Sequence, residues 1–541
     1  MSSIKTIFGP PGTGKTTRLA GMIAAAVERF GSDRVVVASL TRTAAAEILG
    51  RGINVDPEHV GTLHAVCYRA LGRPPVVDKT VSDFNKQHNR TLTPSEADMD
   101  DMAADRNEGQ TGHDRIRSEM DLLRVRMIPR ALWPAHVVQF AREWDDWKAY
   151  TGTVDFPDMI EKALQQFDRA PGNPAAVYYD EAQDGSALEL ALIRQWAAHT
   201  DHTRIAGDDD QALFSWRGAS VESFLAFSDG SDKEVLGQSY RLPRAVQRYA
   251  QRWAEQINVR HPKAYEPRAI EGEIATRELA LNYPEDVLAE VEEHVAEGRS
   301  VMLLATCGYM LHPLVACMRS RAIPFHNPYR TKRGDWNPLR IGGGMNATDR
   351  VLAFAQASGG VESRPWTWRE LHAWVDVVRA EVLPRGAKAR CTEHAGEHDL
   401  VSYGVAKDLL GPEAWGAATA ADVEWLRQNM LDSKKKAHEM ALDVAQRRGL
   451  STLRRHGAEV QGKPGKGVMV GTVHSVKGGE ADVVYLWPDL SQAGMIEYHD
   501  PAKRNNVLRT LYVGMTRAAQ SCYLCASRKN ASIEWLPVEG S

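Results

Sequence analysis

Cysteine is scarce in this chain: six in 541 residues, at positions 67, 307, 317, 391, 522 and 525. Scattered in this way they form no disulfide framework, which excludes a small secreted scaffold and fits a reducing compartment. Long apolar runs are missing too, so no stretch of the sequence has the length of a bilayer-spanning helix. Nor is there an excess of positive charge: 66 Lys and Arg stand against 70 Asp and Glu, a formal net of −4. Any nucleic-acid partner must therefore meet a local basic surface set against acid elsewhere. The opening MSSIKTIFGPPGTGK has no signal-peptide pattern, and a soluble, cytoplasmic protein without a membrane partner is expected. The rest is ordinary for a folded chain: 43% hydrophobic and 25% charged residues, over a length that suggests three or four packing units.

A short β-branched strand, a glycine-rich turn and an amphipathic helix are legible in SIKTIFGPPGTGKTTRLAGMIAAAVERFG. Leu19, Met22, Ile23, Ala26, Val27 and Phe30 recur at helical spacing. Between strand and helix run Gly9, Pro10, Pro11, Gly12, Thr13, Gly14, Lys15 and Thr16, a P-loop, with Thr17 next. Its glycines let backbone N–H groups close around phosphate oxygens at a helix N-terminus, where the dipole favours anions. Lys15 supplies charge to the β and γ phosphates, and the Thr16 hydroxyl is a ligand for Mg²⁺. Residues 9–17 are the expected nucleotide site, with ATP and Mg²⁺ bound there.

A P-loop enzyme also needs an acid for its metal and a group that activates water. In AAVYYDEAQDGSALELALIRQWA, Val177, Tyr178 and Tyr179 read as a buried strand that delivers Asp180 and Glu181 to its C-terminal end. Ligands sit at that end in open parallel sheets. Asp180 is expected to hold Mg²⁺ through water, and Glu181 to act as base for the attacking water. Another strand ends in AGDDDQALFSWRGAS, which joins Asp208, Asp209, Asp210 and Gln211 to Trp216 and Arg217. Neither turn chemistry nor core packing asks for that mixture, although one of Phe214 and Trp216 is expected in the core.

These two segments resemble motifs II and III of superfamily 1 helicases of the UvrD/Rep type, and further motifs follow in family order. The resemblance implies that Gln211 senses the γ-phosphate and that Trp216 stacks on a base of single-stranded DNA, with Arg217 beside it. Stacking of this kind tolerates any sequence. VVVASLTRTAAAEIL resembles motif Ia, placing Thr41 and Arg42 at the DNA backbone, but Leu40, Arg42 and Thr43 stand where the family usually has Phe, Asn and Lys. VGTLHAVCYRAL resembles motif Ib, with Thr62 and His64 at strand-contacting positions. VDFPDMIEKAL matches a family segment ahead of motif II. VLGQSYRLPRAVQRYA resembles motif IV, in which Tyr240 would stack on adenine and Arg241 meet the γ-phosphate. VMVGTVHSVKGGEADVVYL resembles motif V, with Thr472 and His474 toward DNA and Glu480 toward nucleotide. RTLYVGMTRAAQSCYLCAS resembles motif VI, with Arg517 as a second arginine finger. Arginines late in a chain suit transition-state charge stabilisation across a cleft. Only eight residues precede Gly9, too few for the glutamine-bearing helix that reads adenine in the family, so relaxed nucleotide selectivity is expected.

The resemblance implies an α/β fold: two RecA-like P-loop NTPase domains with parallel sheets, each interrupted by a largely helical insertion. The expected boundaries are 1–75 and 150–235 for the first motor domain, 76–149 for its insertion, 236–328 and 462–541 for the second, and 329–461 for the second insertion. Within the latter, SKKKAHEMALDVAQRRGLSTLRRHG is the most basic stretch. It suits either duplex phosphates or a solvated helical face. PWTWRELHAWV reads as a small core, and Cys391, His394 and His398 lack a fourth partner at zinc spacing. The implied function is a monomeric ATP-dependent helicase moving 3′ to 5′ on single-stranded DNA and opening tailed duplex. The alternatives are a translocase that strips proteins without unwinding, and a nucleotide-gated DNA-binding switch.

Overall fold

The computed structural model describes residues 3–40, 50–94, 111–328, 336–339, 345–357, 364–455, 467–527 and 531–538. The chain divides into two compact units, one of residues 1–276, 488–522 and 531–541, the other of 277–487 and 523–530. Residues 236–276 and 488–522, read from sequence as parts of the second motor domain, thus fall in the first unit.

Among the described residues, six parallel strands form the sheet of the first unit: β1 (Ser3–Phe8), β2 (Val35–Ser39), β3 (Val60–Thr62), β4 (Ala176–Asp180), β5 (His202–Gly207) and β6 (Asp232–Val235). Their order is β3-β2-β4-β5-β1-β6. Parallel strands covered on both faces read as unbroken apolar runs, and β2 and β4 are buried throughout. Phe8, Val36, Ala38, Val177, Tyr179 and Ile205 enter one core. Ile7, Val35, Val37, Ala176, Tyr178 and Ala206 enter the other, as a side-chain period of two requires. The helix Lys15–Phe30 covers the second core with Leu19, Ile23 and Ala26, and Met22, Val27 and Phe30 pack at its margin. Phe8 is in register with Gly207 and Ser39 with Asp180. The P-loop, Asp180 and the loop after β5 therefore leave the sheet at its C-terminal edge, where ligands bind in such folds.

The first insertion is helical among the described residues, with helices Val81–His88, Gly112–Val125 and Ala135–Thr151. They close on Phe84, Phe140, Trp144 and Trp147, and Phe84 meets Trp144 edge-on at 4.9 Å. At its base Arg124 donates to Asp155 at 2.8 Å, Asp158 at 2.5 Å and Glu161 at 2.7 Å. Lys148 donates to Asp155 at 2.8 Å and Asp158 at 2.7 Å. Burial pushes the Asp155 carboxyl up, but Arg124 and Lys148 outweigh it and hold it well below the usual range. Asp155 also caps the helix Phe156–Gln166 in a reciprocal capping box with Asp158, which accounts for the pattern in VDFPDMIEKAL.

In the second unit, strands Val301–Ala305, Val468–Thr472 and Ala481–Leu486 are parallel, with 301–305 in the middle. Its insertion packs Trp366 and Trp374, both fully buried, with Phe354, so PWTWRELHAWV does form a core. The basic helix Asp432–Arg448 ends in Arg447 and Arg448. Arg447 and Arg448 donate to the carbonyls of Ser320 and Arg321, at 2.6 and 3.0 Å, at the end of the helix His312–Ser320. Cations there offset the negative end of the dipole, which occupies two of the charges in the stretch read as duplex-facing or solvated.

Candidate nucleotide-hydrolysing site

The P-loop residues 9–17 join β1 to the helix Lys15–Phe30. Gly9 N–H donates to the Gly207 carbonyl at 2.9 Å, and Thr13 bonds the Pro10 carbonyl through N–H (3.2 Å) and hydroxyl (2.8 Å). Gly12 and Gly14 have φ of +72° and +75°. A Cβ on Gly12 would lie 2.4 Å from the Cβ of Arg241, so the turn and a close approach both demand glycine.

Lys15 Nζ meets Glu181 Oε1 at 2.6 Å, and the Thr16 hydroxyl donates to Asp180 Oδ2 at 3.3 Å. Burial works against the Lys15 charge, yet Glu181, Asp180 and Asp208 together outweigh it and raise its pKa above the ordinary value. Burial pushes the Asp180 carboxyl up to about 6, with Lys15 opposing and Glu181 adding to the rise. Thr16 and Asp180 are hard oxygen donors of the kind Mg²⁺ takes. Glu181 itself has φ +57°, a left-handed backbone that costs a non-glycine residue about 1–3 kcal/mol and clusters at sites of chemistry.

The loop after β5 is bolted to this acid pair by residues that the sequence reading did not single out. Gln183 donates to Glu181 Oε2 at 2.7 Å and accepts from the backbone N–H of Asp208 at 3.0 Å. Asp184 Oδ1 accepts from Leu213 N–H at 2.8 Å and Phe214 N–H at 3.3 Å. Both lie inside the quoted DEAQD, and their signal was position beside the acids rather than residue type. Gln211 donates to Asp208 Oδ2 at 2.6 Å, and its Oε1 accepts from Arg517 Nη2 at 2.9 Å. Tyr240 N–H donates to the Gly12 carbonyl at 2.8 Å, and the residue is 72% exposed. Lys15, Thr16, Asp180, Glu181, Gln211, Tyr240, Arg241 and Arg517 are thus assembled within the first unit.

Among the residues expected to meet DNA, Trp216 is half-buried and sits edge-on to the buried Phe214, ring centres 6.0 Å apart. Arg126 of the insertion donates to the Ser215 carbonyl at 3.0 Å. Arg217 is half-buried next to it. Thr62 is buried, and its hydroxyl caps the helix Leu63–Ala70 by accepting from Ala65 N–H at 3.2 Å. His64 lies 3.6 Å from Glu189, and burial lowers its pKa despite that neighbour. In the second unit Thr472 is buried and accepts from Ser475 N–H at 3.2 Å, His474 opens the short turn that follows, and Glu480 is exposed. Thr41 and Arg42 lie outside the described residues.

A phosphate loop and a strand-end acid pair on one parallel sheet, faced by a glutamine and a buried arginine, characterise a P-loop NTPase. Residues 2–232 match the UvrD/REP helicase N-terminal domain, and residues 467–525 match the UvrD-like helicase C-terminal domain. The chain belongs to the UvrD/Rep-like helicase family. It is 26% identical over 319 residues to DNA helicase II of Salmonella typhimurium, covering 51% of this chain and 42% of that protein. DNA helicase II of Escherichia coli K12 gives the same figures. The ATP-dependent DNA helicase PcrA of Staphylococcus aureus is 23% identical over 346 residues, 56% of this chain and 46% of the relative. The chain therefore spans less than half the length of these relatives. The solved structure of PRRSV helicase aligns with a TM-score of 0.32 at 11% identity, over 99% of this chain and 56% of that one.

Proposed function

We propose that this chain hydrolyses ATP with Mg²⁺ and uses the cycle to move along single-stranded DNA, 3′ to 5′, opening duplex as it goes. The observation that carries the reading is the short span from Gln211, bonded to both Asp208 and Arg517, to the half-buried Trp216. One loop thereby joins the phosphate sensor to a stacking platform.

In this reading Lys15 and the P-loop N–H groups bind the β and γ phosphates. Thr16 and, through water, Asp180 would hold Mg²⁺, which would supply charge neutralisation for the transferred phosphoryl group. Glu181 accepts the proton of the attacking water. Arg241, Arg517 and Gln211 stabilise the charge that develops in the transition state. When the γ-phosphate leaves, Gln211 loses a partner, and the loop carrying Trp216 and Arg217 changes its hold on the strand. The 3′-to-5′ direction is taken from the family resemblance. A tailed-duplex assay tests the reading: ATP-dependent strand release from a 3′-tailed substrate supports it, and release only from a 5′ tail contradicts the polarity.

A further inference from the structure

The three acids of the sensor loop meet cations from a segment outside every motif quoted above, NVRHPKAYEPR. Asp208, Asp209 and Asp210 are each fully buried. Consecutive carboxylates are tolerated inside a protein only when cations and N–H groups meet them. Lys263 Nζ lies 3.0 Å from Asp208 Oδ1, 2.5 Å from Asp209 Oδ1 and 2.9 Å from Asp210 Oδ2. Arg260 grips Asp210 through two parallel bonds of 2.9 and 2.7 Å, and His261 N–H donates to Asp209 at 2.6 Å. The same segment rests on Phe8, the last residue before the P-loop: the His261 ring stacks on it at 4.3 Å, and Lys263 Nζ lies 5.8 Å from its centre. Arg509, the sixth residue of the helix Arg504–Met515, donates to the Asp209 carbonyl at 2.8 Å and to the Val259 carbonyl.

We propose that Lys263 is a positioning residue for nucleotide hydrolysis: it fixes one oxygen of Asp208 so that the other aims the Gln211 amide. Lys263 and, more distantly at 3.3 Å, the Asp210 N–H hold Asp208 Oδ1, Gln211 donates to Oδ2, and the Asp208 backbone N–H donates to Gln183. Among the described residues, removing the ammonium leaves the three buried carboxylates facing Arg260, and the loop shifts to separate them. A displacement of about 1 Å at a reacting group costs on the order of 10²-fold in rate. The inference rests on the hydrolytic reading given above.

The test compares Lys263→Met, Lys263→Arg and the double variant Lys263→Met with Asp209→Asn, which removes one of the buried charges. The readouts are kcat and KM for ATP, and the melting temperature. Lys263→Met is expected to lower kcat roughly 10- to 100-fold with little change in KM, and Lys263→Arg to restore part of the loss. The double variant is expected to regain melting temperature without regaining kcat. If kcat and melting temperature recover together, Lys263 is structural only and the inference is overturned. A folded Lys263→Met with wild-type kcat overturns it as well. If the wild type itself hydrolyses no nucleotide, the hydrolytic reading fails; turnover in the wild type matched by the variants overturns this inference alone.

Discussion

Arg517 donates to the Gln211 amide oxygen at 2.9 Å across 306 positions of sequence, and the nitrogen of that amide donates to Asp208 at 2.6 Å. The Gln211 amide and the buried Arg517 are therefore one unit. Removing either breaks the bond that ties the two together, so their losses are shared. Gln211→Ala and Arg517→Ala are each expected to lower the hydrolysis rate by about 10²- to 10³-fold. The double variant should be little worse than the weaker single variant when all are followed by single-turnover ATP hydrolysis. Fully multiplied losses would show that the two residues act separately.

Trp216 carries no charge, so its contribution to strand binding should be insensitive to salt. Trp216→Ala is expected to weaken single-stranded DNA binding by ~1–3 kcal/mol with an unchanged slope of log affinity against log salt. Arg217→Ala should flatten that slope by close to one counterion. Fluorescence anisotropy across a salt series distinguishes the two. A changed slope in Trp216→Ala would remove the stacking role.

Much of this site was legible because phosphate chemistry needs particular residues in contiguous order. Lys15, Thr16, Asp180 and Glu181 sit in short runs whose strand and helix flanks follow from apolar spacing alone, and the structure brings them within hydrogen-bonding distance. The fate of Asp208, Asp209 and Asp210 was not legible. Their partners Arg260 and Lys263 lie some fifty positions away, in a segment with no periodic signal. Long-range charge pairing leaves no local pattern. The approach of residues 239 and 240 to the P-loop has the same origin. Tyr240 and Ser239 bond the P-loop carbonyls of Gly12 and Pro11, at 2.8 and 2.7 Å, and no hydrophobic period announces such contacts. Thr62 shows the converse, because a threonine before a helix serves as a cap whatever else its motif suggests.

Burial and two like-charged neighbours push the Asp209 carboxyl up to about 6, with Lys263 opposing. An acid whose pKa is higher folded than unfolded gives stability that is present at low pH and is lost as pH rises from about 4 to about 6. The melting temperature of Asp209→Asn relative to wild type should therefore rise across that window. A difference that stays flat from pH 4 to 7 would contradict the shared burial of the three acids.

The insertion stands on a buried cation. Arg124 contacts three carboxylates at 2.8, 2.5 and 2.7 Å, and breaking such a cluster from one side costs about 3–5 kcal/mol. Arg124→Met should lower the denaturant midpoint accordingly. Arg130→Ala, which loses an exposed pair with Asp145, should cost less than ~1 kcal/mol. Equal effects would mean that the buried cluster adds nothing to stability.

In the proposed cycle one loop couples nucleotide hydrolysis to a grip on single-stranded DNA. Steady-state ATP hydrolysis with and without single-stranded DNA tests it most directly, with Lys15→Ala as the blank. Strong stimulation by DNA is expected, and Lys15→Ala should abolish it. Hydrolysis that proceeds at the same rate whether or not DNA is present would contradict the coupling assigned to Gln211 and Trp216.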